Sequence, residues 1–278
     1  MKNPINIARR AMRSGLMSLL LFSVLPVQAE PLTVGGTGAA MTAMRLLADE
    51  FRKIRPEADI RVLSTIGSGG AIKGVKSGQV DLGVSGRALH DDERDGKIEA
   101  GEFVRSPFVF VVARNNPLGG LSAAELVDIY AGRRVNWPDG SRLRLILRPS
   151  DDSDTIFLRT GVSPAMTAAL QAAEQRPGML FAATDQNCAD MLEQTAGAFG
   201  VLTLGQLTAE RRALKPLALD GQTPTVKAAA SSRYPYVKSL YLLTAPDAKP
   251  LTRQFVAFVR SARGRALLGE LSFWAVDN

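Results

Sequence analysis

The sequence predicts an α/β fold with mostly parallel sheets. Short β-like runs alternate with helical patterns from residue 32 onward. Three of the strand-to-helix turns share one design of glycines and hydroxyls, and no internal repeat, low-complexity tract or long linker breaks the alternation. Alternating βα units build parallel sheets, and such sheets bind ligands where strand ends lead into helices.

Leu32-Thr33-Val34 reads as the first strand and runs into Gly35-Gly36-Thr37-Gly38. A helix follows, because Met41, Met44, Leu47, Ala48, Phe51 and Ile54 recur at helical spacing; Pro56 stops it. Residues 60–64 read as a second strand, followed by Gly67-Ser68-Gly69-Gly70 and a short helix over 71–77 that Gly78 ends. Residues 81–85 are a third strand and turn, and 108–112 a strand of the fully buried type. Ser122 and Glu125 form a capping box, and Gly132 is placed to end that helix. Residues 143–147 are a strand leading into a polar loop at 148–155. Ser163-Pro164 places a cap and a first-turn proline. Strands over 199–203, 216–219 and 239–244 and an amphipathic helix over 251–262 complete the order.

The first 29 residues read as an export signal. Lys2, Arg9, Arg10 and Arg13 precede a short apolar run at 16–25, and Val27-Gln28-Ala29 gives the small–x–small pattern before Glu30. That run is about ten residues, half of the roughly 20 a membrane span needs. No cysteine near the junction suggests a lipid anchor. Cleavage after Ala29 leaves 249 residues with 30 basic against 27 acidic side chains, a net of +3. The remainder is long enough to bury a large core, as one big domain or two smaller ones. No basic cluster with interleaved aromatics suggests nucleic acid.

Cys188 is the only cysteine, which excludes an intramolecular disulfide and a thiolate metal cluster. It reads as a small buried apolar residue. His90 is the only histidine and lies in a polar, solvated segment, so a Ser/His/Asp hydrolase has no other base to use. Gly83-Val84-Ser85-Gly86-Arg87 is no nucleophile elbow, and the 67–70 loop lacks the Gly-Lys-Ser/Thr ending of a P-loop. Neither a metal nor an organic cofactor is expected.

The three loops at 35–38, 67–70 and 148–155 each set glycine or hydroxyl residues at a helix start. Unpaired backbone N–H groups and the positive dipole end suit an anion there. Glycine allows close approach, Ser and Thr add hydroxyl donors, and Arg148 adds a planar two-pronged donor. Any one of these loops is an ordinary βα turn; the three together, one with an arginine, point to an anion site.

Ile66-Gly67-Ser68-Gly69-Gly70-Ala71-Ile72-Lys73, followed by Val80-Asp81-Leu82-Gly83-Val84-Ser85, resembles the paired signature of the phosphate-binding proteins of ABC transporters. The resemblance continues through Asn116-Pro117, Ile129-Tyr130, Trp137, Arg148 with Ser153-Asp154-Thr155 and Phe157, Gly197 to Val201, and Tyr234-Pro235 with Leu240-Tyr241-Leu242. It implies the two-lobed type II periplasmic binding-protein fold, with lobe 1 over 30–110 and 230–278, lobe 2 over 111–229, and two hinge crossings. It implies a monomer that carries phosphate or a similar oxyanion to an inner-membrane ABC permease, not an enzyme. Thr37, Gly38, Ser68, Gly69 and Ser85 are the expected ligand residues of one lobe, and Arg148, Ser153, Asp154 and Thr155 of the other. Alternatives are another oxyanion or a small carboxylate as ligand, or a sensor that reports to a membrane signalling partner. Two departures stand out. The family often has an acidic residue after the serine equivalent to Ser85, where this chain has Gly86. The central residue of the Ser-x-Thr triplet is Asp154, with Asp151 and Asp152 before it. These acids read either as a solvated, helix-capping loop or as ligand contacts, with Asp154 the candidate to accept a proton from the anion.

Overall fold

A computed structural model describes residues 31–276, so the export signal read at 1–29 lies outside the described residues. The chain begins with β1 (Leu32–Gly36), α1 (Gly38–Arg52), β2 (Ile60–Val62), α2 (Gly67–Lys76) and β3 (Leu82–Ser85). The long β4 (Glu99–Ala113) follows, then β5 (Gly120–Leu121), α3 (Ala123–Ala131), β6 (Arg144–Leu147), α4 (Ser153–Gly161), α5 (Pro164–Glu174), β7 (Leu180–Phe181) and α6 (Asp185–Gln194). Next come β8 (Ala198–Thr203), α7 (Leu204–Ala209), β9 (Leu214–Pro216), β10 (Ala218–Leu219) and α8 (Val226–Ala230). The last elements are β11 (Val237–Thr244), α9 (Pro250–Arg260), α10 (Ala262–Glu270) and β12 (Trp274–Ala275).

The main sheet runs β2-β1-β3-β11-β4-β8-β6-β7. Its flanks are parallel, as the βα alternation dictates: β1 with β2 and β3, and β6 with β7 and β8. The two strands in the middle, β11 and β4, run antiparallel to each other and to their outer neighbours. One half of β4 pairs with β11 up to Pro107, and the other half pairs with β8 from Phe108.

That division of β4 is also a division of the core. Met41, Met44, Leu47 and Phe51 of α1 pack with Leu82, Val84, Leu240, Leu242 and Phe255. Phe108 and Phe110 instead pack with Tyr130, Leu145, Leu147, Phe199 and Tyr234. Tyr234 keeps its hydroxyl satisfied there by donating 2.7 Å to the Phe108 carbonyl. The chain therefore passes between the two cores along β4 and again at the start of β11.

Local signals explain most boundaries. Ser122 Oγ accepts from the Glu125 N–H at 3.2 Å, Glu125 accepts from the Ser122 N–H at 2.8 Å, and Gly132 closes α3 in the left-handed region at φ 77°. Pro164 starts α5 as expected, but the Ser163 hydroxyl does not cap it and is buried without a partner. Helix α2 is longer than the sequence suggests. It begins at Gly67, so the glycine loop is its first turn and presents bare backbone at a helix start.

Candidate functional site

A cavity of about 620 Å³ opens between the two cores, lined by the starts of α2, α4 and α6 and by the turn after β3. Helix α2 contributes Ser68, Gly69 and Gly70. Helix α4 contributes Ser153, with Arg148, Asp151 and Asp152 from the loop before it, and α6 contributes Thr184 and Asp185. Arg87, His90 and Glu93 form part of the wall, where Arg87 grips Glu93 through two hydrogen bonds of 2.7 and 2.8 Å. Three helix N-termini thus converge on one cavity, an arrangement that favours negative charge.

The hydroxyls on this wall are oriented by what they accept. Ser68 Oγ accepts from the Gly86 N–H at 2.9 Å, and Ser153 Oγ accepts from Lys238 Nζ at 2.9 Å. Each serine keeps its own hydrogen to donate. Arg148 is 4 % exposed. Its Nη2 donates to Asp152 at 2.7 Å and stands 3.6 Å from Asp185, and Nη1 donates to the Ala182 carbonyl at 3.3 Å. Its Nε is buried with no protein partner. Burial works against its charge, but Asp185 and Asp152 keep the guanidinium protonated.

The expected site residues divide. Ser68, Gly69, Arg148 and Ser153 line the cavity. Thr37 and Gly38 sit at the start of α1, off the cavity wall. Thr37 donates its N–H to the Val84 carbonyl at 2.9 Å, and Gly38 lies against Asp185 and accepts from Gln186 Nε2 at 2.9 Å. Ser85 is fully buried, and its hydroxyl closes the turn by donating to the Arg87 carbonyl at 2.7 Å. Thr155 donates its hydroxyl to the Arg148 carbonyl at 3.3 Å, which fixes the arginine's backbone.

The aspartates separate as well. Asp151 is exposed, and Asp152 caps α4 through the Asp154 N–H at 2.8 Å. Asp154 is not solvated: it is 1 % exposed and ion-paired with the equally buried Lys238. Burial pushes its carboxyl up to about 6, against the pull of Lys238. Burial also raises Asp185, against the pull of Arg148. For Lys238 burial opposes the charge, but Asp154, Asp152 and Asp185 together hold the ammonium protonated.

Lys238 and Asp185 escaped the sequence reading. Lys238 had a signal, since it alternates in phase with Leu240 and Leu242 on the buried face of β11. Asp185 follows Thr184, whose Oγ1 accepts from the Asn187 N–H at 3.1 Å, so it opens a fourth loop of the same design. Cys188 is fully buried beside Val201, and burial pushes its thiol up to about 12. Among the described residues, no group of three or more His, Cys, Asp or Glu is placed to hold a metal ion. No helix among them is long and apolar enough to cross a membrane.

Two cores joined through β4 and β11, with helix starts facing a cavity between them, are the architecture of a type II periplasmic binding protein. The chain belongs to the PBP superfamily, whose domain model matches residues 26–263. It is 28 % identical over 240 residues to the phosphate-binding protein PstS of Bacillus subtilis, covering 83 % of this chain and 75 % of that protein. In structure it is similar to a putative phosphate ABC transporter substrate-binding protein with bound phosphate from Clostridium perfringens. That match has a TM-score of 0.77 and 17 % identity, over 89 % of this chain and all of the other. The fold also resembles the regulatory domain of a LysR family regulator from N. meningitidis, with a TM-score of 0.55 and 14 % identity over 89 % of this chain and all of that one.

Proposed function

We propose that the protein is an exported binding protein that holds one phosphate, or a similar tetrahedral oxyanion, for an ABC-type uptake transporter. The observation that carries this reading is the convergence of the α2, α4 and α6 starts, with Ser68, Ser153 and Arg148, on one cavity. Helix N-termini and an arginine recognise oxyanions through charge-assisted hydrogen bonds. The similarity to the B. subtilis phosphate-binding protein supports the same ligand class.

On this reading the mature chain starts after Ala29, acts in the periplasm as a monomer and delivers its ligand to an inner-membrane permease. Lobe 1 comprises 30–110 and 230–278, lobe 2 comprises 111–229, and the hinge runs through β4 and the start of β11. Closure around the anion excludes water, which strengthens each bond to it. We read the cavity as one for binding rather than turnover: Ser68 accepts from the Gly86 N–H, and Ser153 accepts from the Lys238 ammonium, which the neighbouring carboxylates hold protonated and so unable to act as a base. The test is calorimetry on refolded, ligand-free protein with phosphate, sulfate and small carboxylates. One phosphate per chain is expected, with thermal stabilisation of roughly 2.7 kcal/mol at about 100 times its Kd. Absence of binding by every oxyanion overturns the reading.

A further inference from the structure

We infer that Lys238 is a positioning residue for the bound anion, acting through Ser153 at the meeting point of β11, α4 and the turn after β3. The inference rests on the oxyanion reading and names a residue that Arg148 and the helix starts do not account for.

Lys238 is the second residue of β11, where the chain returns from one core to the other. Its side chain is only 2 % exposed, so water cannot satisfy the ammonium. Its recorded partners are Ser153 Oγ, at 2.9 Å, and Asp154. Ser153 is the partner that matters for ligand, because it lines the cavity and Asp154 does not. A hydroxyl oxygen that accepts from a cation has its own hydrogen polarised and left free to donate. Lys238 thus makes Ser153 a stronger donor toward an anion while staying outside direct contact.

Charge supports the same assignment. The cluster holds three carboxylates, Asp152, Asp154 and Asp185, against two cations, Arg148 and Lys238. Lys238 limits the excess that an incoming anion meets to one negative charge.

Gly86 completes the arrangement. A Cβ at this position would stand 2.8 Å from Lys238 Cε and 2.8 Å from Ser153 Oγ. A side chain at 86 and the lysine's present course compete for one volume. This gives a physical reason for glycine at a position where the resembling family often has an acid.

The competing account is that Lys238 only neutralises Asp154. Titration of inorganic phosphate into ligand-free wild type, Lys238→Met/Asp154→Asn, and each with Ser153→Ala separates the two. The double substitution removes one charge of each sign, so the net charge of the cluster is unchanged and no buried ion is left alone. Phosphate affinity should fall on the order of tenfold or more in the double variant, matching loss of a charge-assisted donor. Ser153→Ala should then cost less in that background than in wild type. Wild-type affinity in the double variant, with the full Ser153→Ala penalty, overturns the inference.

Gly86→Ala is the second route. It keeps both charges, but its Cβ crowds the Ser153 hydroxyl as well as the Lys238 stem. Unchanged affinity in this variant alone overturns the inference, whether or not the double variant folds. A loss of affinity at unchanged melting temperature that disappears in the Lys238→Met/Asp154→Asn background supports it, and a loss that persists there, coming from Ser153 itself, overturns it. Binding by wild type with no loss in these variants refutes only the role of Lys238. Failure of wild type to bind any oxyanion refutes the functional reading, and this inference with it.

Discussion

Arg148 donates to Asp152 at 2.7 Å and stands 3.6 Å from Asp185, so its guanidinium is held between two carboxylates while its Nε remains unpartnered. Planar donors fixed in this way meet an oxyanion without losing side-chain freedom at the moment of binding. Arg148→Ala should therefore weaken phosphate binding by about 2–5 kcal/mol, the range for truncating a buried charge partner. Arg142 and Arg144 are exposed and border a separate, smaller hollow of about 260 Å³. Arg142→Ala and Arg144→Ala should leave affinity unchanged. Calorimetry on the three variants decides, and an equal loss from all three would mean that the cavity is not where the anion sits.

Gly69 separates structural from ligand requirements. A Cβ there would meet nothing within 4 Å, and its backbone is not in the left-handed region. It lies inside the first turn of α2, where alanine favours helix over glycine by about 0.5–1 kcal/mol. Gly69→Ala should hold or slightly raise the melting temperature. If the anion approaches the α2 backbone closely, the same variant should lose phosphate affinity several-fold. Unchanged affinity would show that the ligand keeps its distance from this turn. Gly36 is the contrast, because a Cβ there would collide with the Val84 backbone in the β1–β3 pairing.

The loops were legible because their design is local. A β-run, glycines or hydroxyls, and a helix start can be read within ten residues, and Ser122, Glu125 and Gly132 bound α3 by contacts of the same short range. Lys238 and Asp154 were not legible as a pair, because 84 positions separate them and only the crossing into β11 brings them together. The 99–103 part of β4 was missed for a similar reason. Its sequence is polar and glycine-containing, and its strand character comes from pairing with β11. Strand β7 has two residues, too few for a periodic signal, so the α6 loop and Asp185 went unnoticed.

The pH dependence of stability follows from opposite shifts. Burial raises Asp154 to about 6, from about 3.9 when unfolded. The folded chain then holds the extra proton between those values. The stability this contributes is complete below about 4 and is lost as pH rises through about 6. Asp185 shifts in the same direction. Glu93 is pulled down to about 2, chiefly by its hydrogen bonds to Arg87, from about 4.3 when unfolded. Its contribution is complete above about 4.3 and is lost as pH falls toward about 2. The two windows meet at about pH 4, so these groups should make the ligand-free protein melt highest near pH 4 and lower on both sides. Scanning calorimetry across this range checks it. Glu93→Gln should flatten the acid side, and Asp154→Asn should reduce the slope on the other. A melting temperature that keeps rising to pH 8 would contradict the raised carboxyls.

Selectivity between phosphate and sulfate depends on which carboxylate faces the ligand. Phosphate at neutral pH still carries a proton and can donate it in a hydrogen bond, whereas sulfate offers none. A carboxylate on the cavity wall accepts that proton, but against sulfate it is left unmatched and repels. Asp154 was the candidate on sequence grounds, but its side chain is engaged with Lys238 and lies off the cavity wall. Asp152 is committed to Arg148 and to the start of α4. Asp151 is exposed. Asp185 is buried and on the wall, and its recorded ion pair to Arg148 is a loose one at 3.6 Å. Asp185→Asn should therefore narrow the gap between phosphate and sulfate affinity, mainly by admitting sulfate, since asparagine keeps the shape and supplies a donor. Asp154→Asn should act on both anions alike, through Lys238 and Ser153, and leave their ratio unchanged. Competition calorimetry with the two anions on both variants tests the assignment. A changed ratio in Asp154→Asn with none in Asp185→Asn would return the acceptor role to Asp154.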